Sequence, residues 1–213
     1  MPHQKEATVY DRDTRPPVMS DGEVTPGVVE HFEYLCNIFF MHAKGRISED
    51  QKVARLFGSF MNPYINTWIS RERTTLAALT FPDFMKEFRR RWLPKNWEIT
   101  LQAEVLGTLL GPTKETFYAW VRHVQILNIT LRGTPEQLSD TQLRAQLQAN
   151  LDEELRTMVY DEMAHEIKEL RPWIRKVRRL DNKRRNERER INRYIDEYLR
   201  AISTRGRSSM SVV

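Results

Sequence analysis

The sequence predicts an all-α protein made of two small helical lobes followed by an extended basic helix. Three observations predict it. Apolar residues recur at three- and four-residue spacing along most of the chain, and no alternating run of useful length appears. Helix-capping signals recur between the periodic stretches. Only eight glycines occur in 213 residues, so long stretches lack the turn chemistry that a sheet of hairpins needs.

Residues 1–24 carry Arg15-Pro16-Pro17 and scattered charges without a period, and they read as a flexible arm. Thr25 then caps a helix opened by Pro26, because proline at the first helical position loses no needed donor. Phe32, Leu35, Phe39 and Phe40 follow at helical spacing. Ser48 with Gln51 reads as a capping box ahead of Val53, Leu56, Phe57 and Phe60. Asn62-Pro63 restarts the pattern, with Ile65, Trp68 and Ile69 on one face. Thr80 with Asp83 caps a helix bearing Phe84, Phe88 and Trp92 at i, i+4 and i+8, an aromatic core face that Pro94 ends. Residues 25–94 thus form the first expected lobe.

Residues 95–182 form the second. Leu101, Val105 and Leu109 share a face after Trp97, and Gly111-Pro112 breaks that helix. Thr113 is positioned to cap a helix holding Phe117, Trp120, Val121, Val124 and Leu127, closed by Gly133. Ser139 with Gln142 makes a second capping box before Leu143, Leu147 and Leu151. Asp152, Glu153 and Glu154 open a short helix with Leu155, Met158 and Val159, where acidic side chains favour the positive end of the helix dipole. Met163, Ile167 and Leu170 suggest one more short helix, ended or kinked by Pro172. A helical pattern then runs from Trp173 to about Ile202, so residues 183–213 read as a basic helix and a small, polar, disordered tail. Trp68 and Trp120 are expected as lobe anchors, each ring contributing on the order of 2–3 kcal/mol when buried.

Composition narrows the function. The single cysteine, Cys36, rules out an intrachain disulfide and a cysteine-rich zinc site, and its apolar surroundings mark a buried thiol. The five histidines, His3, His31, His42, His123 and His165, never pair at i+3 or i+4, so no metal site is expected. No signal peptide is read at the polar N-terminus, and the most apolar stretch, Phe32 to Met41, is too short to span a bilayer. No glycine-rich phosphate loop, nucleophile elbow or paired-acid arrangement is legible, so neither an enzyme, a cofactor nor a small-molecule substrate is expected.

Charge, by contrast, is concentrated. The net charge is +5, yet Arg175, Lys176, Arg178, Arg179, Lys183, Arg184, Arg185, Arg188, Arg190 and Arg193 face only Asp181, Glu187 and Glu189 between them, a local excess of +7. The rest of the chain therefore sums to −2. Such asymmetry points to contact with phosphates of a nucleic acid, strongly salt-dependent and without base-specific readout. Ile191, Tyr194, Ile195, Tyr198, Leu199 and Ile202 follow on one stripe and read as a self-association surface.

One stretch carries a family likeness. Pro63-Tyr64-Ile65-Asn66-Thr67-Trp68 is followed by Thr80-Phe81-Pro82-Asp83-Phe84, then Phe88 and Trp92. Leu101, Leu106 and Leu109 come next, then Glu115-Thr116-Phe117-Tyr118-Ala119-Trp120, Leu127 and the leucine helix Leu143 to Leu155. In order and separation this resembles the retrotransposon Gag domain of gypsy-type long-terminal-repeat elements, over roughly Val28 to Asp181. The chain differs in having Gly111-Pro112-Thr113 where the family often has a glutamine-rich step, and Phe81 where tryptophan is common. It carries no zinc knuckle and no aspartic-protease motif. The resemblance implies capsid N-terminal-like and C-terminal-like lobes divided near Pro94, with Trp68, Phe81, Phe84, Phe88, Trp92, Phe117 and Trp120 as their core motif. It also implies a structural protein of a transposable element, cytoplasmic, forming homo-oligomers that build virus-like particles and package RNA. The alternative is a domesticated Gag-derived regulator that binds nucleic acid or protein through helices and forms no shell.

Overall fold

The computed structural model describes residues 5–12, 14–111 and 115–208, with side chains as far as Arg200. Thr113, expected to cap a helix, and the Ile202 side chain lie outside the described residues. Within them the chain is mostly helical, as the periodicity predicts, with one two-stranded sheet. Two compact units emerge: residues up to Leu101 together with Thr130–Arg132, and Gln102–Ile129 together with Gly133 onward. The division thus follows Leu101 rather than Pro94; Pro94 ends a helix, but the buried Trp97 still belongs to the first unit.

The described part of the expected flexible arm is packed. Strand β1 (Val9–Tyr10) pairs antiparallel with β2 (Val18–Met19), Val9 opposite Met19. The Met19 N–H donates to the Ser59 carbonyl at 2.8 Å, and the Met61 N–H donates to the Met19 carbonyl at 2.9 Å. Ala7, Val9, Val18 and Met19 are buried, so scattered apolar residues anchor a segment that has no helical or alternating period. Gly22 is needed there: its φ is +145°, and a Cβ would lie 2.5 Å from the Lys5 carbonyl oxygen.

The first unit is built on helices α1 (Pro26–His42), α2 (Glu49–Arg55), α3 (Pro63–Arg71), α4 (Arg73–Ala77) and α5 (Phe81–Trp92). The expected caps at Thr25 and Thr80 form, Thr25 Oγ accepting from the Val28 N–H and Thr80 Oγ from Asp83, and Asn62 Oδ1 adds a further cap by accepting from Tyr64 and Ile65. The expected Ser48–Gln51 box does not form. Ser48 makes no side-chain cap bond, and the Gln51 N–H goes to the Ser48 carbonyl instead. The caps set α1, α3 and α5 so that their aromatic faces meet. Phe60 packs on Phe32 (ring centroids 5.1 Å) and Phe88 (5.2 Å), Trp68 lies beside Phe84 (6.2 Å) and Trp92 (6.1 Å), and Phe40 meets Phe81 edge-on (5.2 Å). Trp92 is only partly buried, at the end of that stripe.

Helix α6 (Trp97–Gly107) is followed in the second unit by α7 (Phe117–Thr130), α8 (Asp140–Ala149), α9 (Glu153–Asp161) and α10 (Leu170–Ser208). Leu110, not Leu109, is buried, because the helix stops at Gly107 and the period is lost beyond it. The Ser139–Gln142 capping box forms as expected, and Asp152 caps α9 by accepting from the Leu155 N–H. The short helix expected over Met163, Ile167 and Leu170 is replaced. Met163 is left-handed (φ +53°), Ala164–Glu166 make a single 3-10 turn, and Leu170 already opens α10. Pro172 sits inside the first turn of α10, where its missing N–H has no helical acceptor to lose, so it neither ends nor kinks a helix. The backbone stays helical through Ser208, further than the polar tail composition suggests. Phe117, Trp120, Val124, Leu143, Leu147, Leu155, Val159, Trp173 and Val177 fill this unit's interior.

Phe88 makes ring contacts with Phe60, Trp68, Phe84 and Trp92 and is fully buried. Phe88→Ala should therefore lower the unfolding free energy by about 3–5 kcal/mol in denaturant titration. Tyr64→Ala, at a ring 76% exposed, should change it by no more than about 0.5 kcal/mol.

Candidate functional site

Helix α10 holds every cation of the basic run, but the fold divides them into two populations. Counting 100° per residue from the 3.6-residue turn, Trp173, Val177, Leu180, Asp181 and Arg184 share the face that packs into the unit, and all five are buried. Arg184 is therefore not available to a polyanion. Its Nε donates to Asp181 Oδ1 at 2.8 Å and its Nη1 to Asp152 Oδ1 at 2.5 Å. The other Asp181 oxygen accepts from the Phe117 N–H at 2.9 Å, fixing the start of α7, and from Arg185 Nε at 3.0 Å. Arg185 also donates to the Glu115 carbonyl, and Arg188 pairs with Glu154 on α9. Burial alone would raise the Asp152 carboxyl. The hydrogen bonds from Arg184 and Leu155 and the charges of Arg184 and Arg188 outweigh it and hold the group below the ordinary carboxylate range.

Lys176, Lys183 and Arg190 are neutralised at the surface. Lys176 and Lys183 lie 2.9 and 3.6 Å from Glu162, whose carboxyl is held low mainly by its hydrogen bond with Lys176. Arg190 pairs with Glu187 at 3.1 Å, and Arg193 Nε reaches only the Glu189 carbonyl. Arg175, Arg178 and Arg179 face solvent and pair with no carboxylate, about 100–160° from the Val177 direction. The ten-residue cluster read from the sequence is thus a structural tie at Arg184 and Arg185, a set of local ion pairs, Arg193 on a backbone carbonyl, and the three guanidinium groups of Arg175, Arg178 and Arg179.

Residues the charge run did not mark join those three. Arg171 is exposed on the same side of α10. The Arg178 guanidinium lies over the Tyr118 ring of α7, 4.1 Å from its centroid, and Arg122, one turn further along α7, approaches the same ring at 6.0 Å. Tyr118 is 40% exposed. A signal for this surface exists in the sequence: neither 117–130 nor 170–180 contains a single Asp or Glu.

The stripe read as a self-association surface has a different setting. From Glu189 to Arg200 every residue is exposed. Ile191, Ile195, Tyr198 and Leu199 nonetheless point within about 60° of the Val177 direction, so they extend the packed face of α10 past the unit that it packs on. Tyr194 flanks them, 71% exposed. Residues 186–200 carry four arginines against Glu187, Glu189, Asp196 and Glu197, so this stretch of α10 is neutral, with Arg205 and Arg207 following it in the sequence.

The remaining features offer less. In the first unit an open pocket of about 270 Å³ is lined by Asp11, Arg15, Ile38, Phe39 and His42. Burial pushes the Cys36 thiol up, with Glu33 adding to the shift, so it is held as the unreactive thiol. Among the described residues no group of His, Cys, Asp and Glu is placed to hold a metal ion, and no helix is long and apolar enough to cross a membrane.

Removing the Arg184 side chain strands two buried carboxylates. Arg184→Ala should cost about 3–5 kcal/mol in chemical denaturation, against at most about 0.5 kcal/mol for Arg179→Ala. The depressed Asp152 carboxyl adds a pH dependence. Its contribution is complete above the unfolded-state value of about 3.9 and disappears as pH falls through the lower folded-state value. Acid titration of stability should fall less steeply below about pH 4 in Asp152→Asn than in the parent.

No protein-family model matches the chain, and no curated protein or solved structure is significantly similar to it.

Proposed function

We propose that this chain is a Gag-like structural protein that associates with copies of itself into larger assemblies and holds RNA. The observation that carries the reading is the apolar stripe on the far half of α10. An exposed row of Ile191, Tyr194, Ile195, Tyr198 and Leu199 costs solvation free energy unless another surface covers it. A helical segment of that length is also marginal in water by itself. Its neutral charge disfavours a strongly charged partner and suits a second copy of the same helix. The Gag-like order of aromatic motifs supports the same reading, and so do two small helical units, an arrangement suited to many weak, repeated contacts between identical chains. RNA would be held by the uncommitted guanidinium groups of the second unit, through phosphate contacts that weaken with salt.

Sedimentation velocity and light scattering on the full chain, across protein concentration and with RNA at low and high salt, test the proposal. The parent should sediment well above its 25.4 kDa monomer. The double variant Ile195→Asp/Leu199→Asp should fall back to monomer while tryptophan fluorescence keeps both cores folded. A parent that stays monomeric under every condition would sink the assembly reading.

A further inference from the structure

We propose that Tyr118, Arg122 and Arg178 form a stacking site on the second unit that takes an unpaired base of single-stranded RNA, with Arg171, Arg175 and Arg179 on the adjoining phosphates. The inference rests on the reading above that the chain holds RNA, and it adds where the strand binds and which form of it is selected.

Three features lead to it. First, this is where positive charge is uncompensated. The eleven residues from Leu170 to Leu180 contain Arg171, Arg175, Lys176, Arg178 and Arg179 and no acid, and α7 contains Arg122 and no acid. Among the described residues, Lys176 is the one of these six cations that meets a carboxylate, Glu162. Residues 186–200 of α10, with four arginines against four acids, provide no such excess.

Second, the surface has a planar element at its edge. Arg178 lies over the Tyr118 ring at 4.1 Å, close enough for the phenol to hold the guanidinium by cation–π attraction and restrict its rotamers. A guanidinium already stacked on one side offers a preorganised flat face on the other, and nucleobases stack on arginine planes and on tyrosine rings alike. The two helices that carry this pair are locked where they meet. The Phe117 N–H bonds to Asp181, and the Phe117 ring meets Trp173 edge-on at 5.9 Å. Tyr118 and Arg178 lie beside those contacts in sequence, so the pair sits on rigid elements.

Third, the charges run in a line. Arg171, Arg175 and Arg178 recur at four and three residues, about 5–6 Å apart along one ridge of α10, close to the spacing of successive phosphates on an extended strand. A paired duplex hides its base faces and would meet only the charges. An acidic peptide would have nothing to place on the plane.

Fluorescence anisotropy on the full chain distinguishes these partners. The probes are a labelled pyrimidine-rich single-stranded RNA of about twelve nucleotides, the same strand annealed to its complement, heparin as a base-free polyanion, and poly-glutamate. The variants are Arg178→Lys, which keeps charge without the plane, Tyr118→Leu, and Tyr118→Phe, which keeps the ring. Thermal melts check that each folds. Arg178→Lys and Tyr118→Leu should each weaken the single strand about tenfold while moving duplex and heparin less than about twofold, with Tyr118→Phe binding like the parent. Arg175→Gln/Arg179→Gln should weaken all the nucleic acids and heparin together. Equal losses for single strand, duplex and heparin in Arg178→Lys would overturn the stacking site but leave RNA holding intact. So would losses confined to Arg190→Gln/Arg193→Gln, which would move the contact to the far half of α10. Binding of poly-glutamate as tightly as RNA would replace RNA with an acidic protein partner. A parent that binds no RNA at low salt would overturn both this site and the reading beneath it.

Discussion

Arg184 lies enclosed between Asp152 and Asp181, and the second unit is arranged around that contact. One residue belongs to the start of α9 and two belong to α10, while the far oxygen of Asp181 takes the Phe117 N–H at the start of α7. Three helices therefore meet at one group of charges. Moving α10 along its axis by one residue would turn Arg184 and Asp181 together through about 100°, leaving Asp152 without its guanidinium partner and the Phe117 N–H without its acceptor. An apolar contact of the same size would tolerate such a slip far better, because hydrophobic attraction has no direction. The cluster's main consequence is one permitted register for α10, more than added stability.

That register decides what the rest of α10 presents. With Arg184 facing inward, Trp173, Val177 and Leu180 fill the interior, and Arg171, Arg175, Arg178 and Arg179 necessarily face out. The same rotation places Arg178 over Tyr118. Further on, the inward face has nothing left to pack against, and it continues as Ile191, Ile195, Tyr198 and Leu199 in the open. An acid-free cationic face and a neutral apolar stripe thus come from one helix in one orientation, at different distances along it. The two surfaces suit different partners, since one lacks carboxylates and the other lacks net charge.

The first unit holds together differently. Its interior holds a connected set of aromatic rings from Phe32 through Phe60 and Phe88 to Phe84 and Trp68, and Phe40 packs edge-on against Phe81. Arg89 pairs with Glu33 on α1, and also lies 3.6 Å from Glu30, whose carboxyl is raised chiefly by burial and then by Glu33. The N-terminal hairpin closes over this interior through Met19, which is joined by backbone hydrogen bonds on either side of Phe60. The unit thus depends on a segment whose local sequence shows no period, and whose placement comes from a few buried side chains and backbone pairing.

The mostly helical character was legible in the chain's periodicity, because three- and four-residue spacing of apolar side chains is a local property that tertiary contacts here reinforce. The caps at Thr25, Thr80 and Ser139 were legible too, because a short side chain there satisfies donors within three residues of itself. The aromatic stripe of α5 was legible for the same reason. What lies further apart in sequence was decided only by the tertiary structure. The hairpin at 9–19 needs partners 40 residues away, and the helix start at Leu170 follows from the left-handed turn at Met163. Above all, a run of ten cations looks uniform in sequence, since charge carries no direction there. Which of them are spent on Asp152, Asp181, Glu154 and Glu162, and which remain beside Tyr118, depends on carboxylates and a ring brought in from other helices.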